Sequence, residues 1–260
     1  MGNGNGNGSG NAIANECLRN AAAVGVDGCR GGWFFFAHSD GGYCWGVARR
    51  FDQIMCDIQI PCRVMVDIPI GLAGPSCPVR PCDMLARRRL GRRSASVFST
   101  PSRTALGGRD YADASQRNHQ VTGRKLSRQC WNLFPRIREV DAWLSAHRQT
   151  KRMVFESHPE LCFAALAGGQ PMTHYKKTET GFSERLALLS AHWPAAPAAV
   201  EEALANLPRS IAARDDMLDA LVLAITASCD EHELESIPAN PGRDQTGLPM
   251  SMTFPRVLNA

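Results

Sequence analysis

The sequence predicts an α/β fold: a mixed five-stranded sheet flanked by helices, with an arginine-rich helical insertion. Three observations predict it. Short apolar runs joined by glycine-containing turns open the chain. An apolar strand pattern then follows a helical one, and the last third is dominated by helical spacing.

In chain order, AAAVGVDG is a short buried strand ending at Asp27, and CRGG is a turn. WFFFAHS (Trp33 to Ser39) is the returning strand, SDGG a second turn, and YCWGVA (Tyr43 to Ala48) a third strand. Such runs, linked by glycine-rich turns, form an antiparallel meander. In FDQIMCDIQI, Phe51, Ile54, Met55 and Ile58 recur at helical spacing. CRVMVDIPIGL returns to a strand that ends at Asp67 and is closed off by Pro69. From Gly74 to about Thr150 the pattern is mostly helical and basic. DMLARRRLGRR is one helix, SVFSTPSR a loop, and the stretch from Lys125 to Arg148 a longer helix or a pair interrupted at Pro135. A fifth strand, Arg152 to Phe155, ends at Glu156. Helices follow over Pro159 to Ala167, Phe182 to His192, Pro197 to Ala205 and Asp215 to Cys229, and MSMTF adds an edge strand. The expected organisation is a Gly/Asn tail (1–20), one domain over 21–235 with the insertion at about 74–150, and an extension over 236–260.

With 260 residues, 44% of them hydrophobic, the chain can bury a sizeable core. No apolar run approaches the ~20 residues that span a bilayer, so no membrane partner is expected. MGNGNGNGSG lacks a basic segment followed by an apolar one, so a cytoplasmic location is expected and the ten cysteines read as reduced thiols. Cys77 and Cys82, in CPVRPC, have the wrong spacing for a common zinc knuckle. Net charge is +4, but between Arg80 and Arg138 thirteen arginines and one lysine face three aspartates, so the remainder carries −7. A basic block on an otherwise acidic molecule points to a phosphate-bearing partner, nucleic acid above all. Arginine's fork matches phosphate oxygens. Arg87, Arg88, Arg92 and Arg103 are the candidate contacts, with Lys176 ahead of TETGFSER as a fifth.

Three expected strands stop at a carboxylate: Asp27, Asp67 and Glu156. The last apolar helix opens with Asp215, Asp216 and Asp219, all on one side. Asp215 fits an ordinary N-cap, which leaves Asp219 the least explained. In open α/β sheets the carboxyl ends of strands converge on one crevice. Clustered carboxylates take up a proton or a cation, and oxygen-only donors favour Mg²⁺ or Mn²⁺. Two such ions suit in-line phosphoryl displacement.

VGVDGCRGGW, VDIPIGL, ARRRLGRRSASVFSTPSR, SRQCWNLFPRIREVDAWL, FESHPEL, KKTETGFSERLALL and DDMLDALVLA together resemble the DUF429 family, predicted ribonuclease H-like nucleases. The resemblance spans about Val24 to Ala227. It implies that Asp27 corresponds to the acid ending the first strand of such nucleases and Asp67 to the acid ending the fourth. Asp216 and Asp219 are similar to the paired aspartates on the last helix of Holliday-junction resolvases, and Glu156 suits this family better than the wider superfamily. All five are then candidate metal ligands and catalytic residues of a Mg²⁺- or Mn²⁺-dependent phosphodiester hydrolase. The implied state leaves monomer and homodimer open. Two rivals share the strand order: an actin- or sugar-kinase-like phosphotransferase or ATPase, and a nucleic-acid-binding module without catalysis. Glycine-rich phosphate loops, normal in the first, are absent.

Overall fold

The computed structural model describes residues 17–39, 42–59, 61–147 and 153–257. Most of the expected Gly/Asn tail, the middle of the SDGG turn and the start of the expected fifth strand at Arg152 lie outside the described residues.

Five strands, β1 (Ala23–Cys29), β2 (Gly32–Ser39), β3 (Gly42–Ala48), β4 (Arg63–Val66) and β5 (Val154–Glu156), form a mixed sheet in the order β3-β2-β1-β4-β5. β1 pairs antiparallel with β2, Asp27 opposite Phe34, and parallel with β4, Val26 opposite Val66. The helices are α1 (Phe51–Asp57), α2 (Pro81–Leu90), α3 (Arg103–Leu106), α4 (Tyr111–Thr122), α5 (Arg128–Ala146), α6 (Pro159–Leu166), α7 (Glu179–His192), α8 (Ala196–Asn206) and α9 (Arg214–Ser228). A separate two-stranded sheet joins β6 (Leu234–Ile237) to β7 (Met252–Pro255). This is the expected α/β class. MSMTF does form a strand, but its partner is β6 rather than the main sheet. Among the described residues no helix is long and apolar enough to cross a membrane.

The chain divides into two compact units. The first combines residues 1–66 with 174–229 and the second 67–173 with 230–260.

In the first unit β2 places Trp33, Phe34, Phe35 and Phe36 in the core, so both its faces are covered. That explains a strand that reads as a continuous apolar run. Helix α9 is buried from Met217 to Ala227 and lies on β1, β2 and β4, which accounts for its missing polar face. Its contact with β1 is backbone against backbone. A Cβ on Gly25 would meet Ala224 N at 2.1 Å and Ala220 O at 2.2 Å. Gly25→Val is therefore expected to cost about 3 kcal/mol or more, the upper range for overpacking. Urea denaturation measures it, and wild-type stability would mean that the helix withdraws from the strand at no cost. Cys17 and Cys44 form a disulfide with Cα atoms 6.5 Å apart, against the expectation that all thiols are reduced. The sequence offered no signal for this pair, because the bond joins the segment before β1 to β3. Burial pushes the thiol of Cys62 up to about 12, which removes it from thiolate chemistry.

In the second unit α5 runs unbroken through Pro135, where an interruption was one expectation. The proline is exposed, so the carbonyl deprived of its donor is on the side that water reaches. Phe134, Ile137, Val140 and Leu144 hold the buried face of this helix. The expected helix at DMLARRRLGRR is α2, started by Pro81 in the first turn and continued by a 3₁₀ segment, Gly91–Ser96.

Candidate functional site

Most of the residues singled out in the sequence sort into two groups, one in each unit. In the first unit, Asp27 is the third residue from the end of β1, and its Oδ1 accepts from Gly28 N at 2.7 Å. Asp215 and Asp219 stand four apart in the first turns of α9, on one face. Asp27 and Asp215 are each 8% exposed and Asp219 1%. Asp215 and Asp219 meet the ammonium of Lys176. Lys176 Nζ donates to Asp219 Oδ2 at 2.5 Å and lies 3.8 Å from Asp215 Oδ2. Burial works against the charge on Lys176, but Asp219, Asp27 and Asp215 outweigh it and hold the ammonium above its usual range. It is therefore a fixed positive charge at any ordinary pH.

Asp216 turns the other way. The N-cap of α9 is Ala213, whose side chain cannot accept a hydrogen bond, and Asp216 Oδ2 takes the Ala213 N–H at 2.8 Å. Asp216 thus makes the start-of-helix contact that the sequence suggested for Asp215, and Asp215 lies toward Lys176. Spacings of three and four both place an acid beside Asp219, and the sequence alone could not choose between them.

In the second unit Glu156 closes β5, and Asp67 is the residue that follows β4. Both line a small cleft with Thr100, Ser157 and His158. Glu156 Oε2 accepts from Ile70 N at 2.6 Å and from the guanidinium of Arg80. Arg80 also donates to Asp83 Oδ1 at 2.7 Å, to Thr100 Oγ1 at 2.9 Å and to Ile70 O at 3.0 Å. Cys82, Asp83 and Glu156 could together offer three ligand atoms to a metal. The guanidinium, itself buried, already pairs with both acids, so the donor set fits an ion-pair network better than a metal.

Two carboxylates against one guanidinium leave the network one negative charge in excess. Burial pushes Glu156 up to about 7, with Arg80 opposing and Asp83 adding to the rise. A folded-state value above the unfolded one of about 4.3 gives stability that is complete below that lower value. It is lost as pH rises through about 7. The urea midpoint is expected to fall as pH rises from about 4 to about 7, and Glu156→Gln to flatten that fall. A fall that survives the substitution would assign it to other groups.

The basic residues expected at phosphates mostly have partners within the chain. Arg87 donates to Val97 O at 3.0 Å and Ser99 Oγ at 3.2 Å, and Arg92 to Pro171 O at 3.1 Å. Arg103 makes a bidentate pair with Asp141 at 2.8 and 2.7 Å and also binds Asp244. Arg88 is exposed on α2. His158, another residue near the strand end, approaches Ser96 O with Nε2 at 3.4 Å.

No curated protein and no solved structure matches the chain. A family model, described as a protein of unknown function (DUF429), matches residues 25–243. That range takes in most of β1 with Asp27, Lys176, the acidic turns of α9 and the Arg80 network, and the chain belongs to the DUF429 family.

Proposed function

We propose that the chain hydrolyses phosphodiester bonds with Mg²⁺ or Mn²⁺ held by Asp27, Asp215 and Asp219. One observation carries this reading: two buried carboxylates in the first turns of α9, Asp215 and Asp219, meet the Lys176 ammonium, whose charge the buried Asp27 near the end of β1 also supports. Their donors are carboxylate oxygens alone, the set that hard divalent ions take. When bound, such an ion supplies Lewis acidity toward the phosphodiester. Asp27 is held in place by the Gly28 N–H, and Asp216 fixes the start of the helix that carries the other two acids. Asp67 and Glu156, in the second unit, receive no ligand role in this proposal. Arg88, exposed on α2, is kept as a candidate for phosphate contact.

Single-stranded, duplex and branched DNA and RNA, incubated with Mg²⁺, Mn²⁺ or chelator, test the reading. Cation-dependent cleavage that disappears in Asp219→Asn supports it. Binding without cleavage, across both metals and all substrates, would replace the hydrolase with a nucleic-acid-binding module.

A further inference from the structure

We propose that Lys176 and a divalent cation compete for the same carboxylates, so that this lysine sets the cation concentration at which the site loads. The inference rests on the metal-dependent reading above and adds a control element to it. The Lys176 side chain is partly exposed, and its loop is built to hold it beside the acids. A Cβ on Gly181 would sit 2.0 Å from Tyr175 O, so the loop backbone lies directly against the first turn of α7. Thr178 Oγ1 donates to Tyr175 O at 2.7 Å and accepts from Gly181 N at 3.1 Å. The buried Arg185 donates to His174 O at 3.2 Å and Gly181 O at 3.0 Å, while His174 N donates to Glu184 Oε2 at 2.8 Å. Arg214 at the start of α9 pairs with Glu179 at the start of α7 at 2.6 Å. The loop carrying Lys176 and the helix carrying Asp215 and Asp219 are therefore fastened to each other beside the acids.

An ammonium held this way takes lone pairs on Asp219 that a metal would use, and it repels any second cation nearby. Each cation then weakens the other's hold by the same factor, since linkage between two ligands of one site is reciprocal.

The test is Mn²⁺ titration of the full chain, followed by calorimetry and by melting temperature. Lys176→Met is expected to tighten Mn²⁺ binding by about tenfold or more, the direction set by removing a like charge from the site. Its melting temperature should drop in chelator, where the acids face one another without a counter-ion, and recover with Mn²⁺. Lys176→Arg keeps the charge and should stay near wild type. Lys176→Met with Asp219→Asn should lose the gain. Lys176→Gln carries the same comparison if the methionine form does not fold. Equal or weaker Mn²⁺ binding in the neutral variants overturns the competition. Wild-type cleavage together with that result would reject the competition alone. Gained Mn²⁺ binding without cleavage of any nucleic acid would uphold it and reject the hydrolase. No Mn²⁺ binding in any variant rejects both.

Discussion

Asp27→Asn is expected to reduce cation-dependent phosphodiester cleavage by about a thousandfold or more, the scale seen when a charge-stabilising group is removed from a reacting centre. The fold should survive, because asparagine is nearly isosteric and its amide oxygen can still accept from Gly28 N. Asp216→Asn is the internal control. It alters a helix-capping contact to Ala213 N, so a stability loss of at most about 1 kcal/mol and near-normal cleavage are expected. Single-turnover cleavage at saturating Mn²⁺, run beside circular dichroism, separates the two outcomes. An unchanged rate in the Asp27 variant removes that residue from the mechanism. An Asp216 variant as inactive as the Asp27 one would mean that the acids of α9 have been assigned the wrong way round.

Arg80→Met carries the largest expected effect on stability. It leaves Asp83 and Glu156 buried with no counter-charge and strips Thr100 and Ile70 O of a donor. Breaking a buried pair from one side costs roughly 3–5 kcal/mol. Chemical denaturation at neutral pH gives the value. The triple change Arg80→Met, Asp83→Asn, Glu156→Gln should recover much of the loss, because no unpaired charge then remains. A methionine variant as stable as wild type would show that water reaches the two acids.

What could be read in the sequence was what short-range periodicity encodes. The three N-terminal strands, α1, β4 and the buried helix α9 all announce themselves through apolar spacing and glycine turns. The cluster of acids on α9 was visible too, because a helix fixes which residues share a face. What was hidden depends on contacts far apart in the chain. Arg103 carries no mark that its partners are Asp141 and Asp244. Counting arginines therefore overstated the charge free to meet phosphate. Lys176 lies 43 residues before Asp219, and nothing local links them. β6 was missed because LESI is half-buried along its whole length and lacks the alternation that marks a strand with one wet face.

The bare α-carbon of Gly25 has a consequence for anyone redesigning the protein. With the main chain of α9 resting on that of β1, the span between the anchor points of Asp27 and Asp219 is dictated by bonded geometry and atomic radii. Exchanging Leu for Ile or Val elsewhere in the interior should leave that span nearly constant. Any change of metal preference then has to come from the ligating side chains themselves.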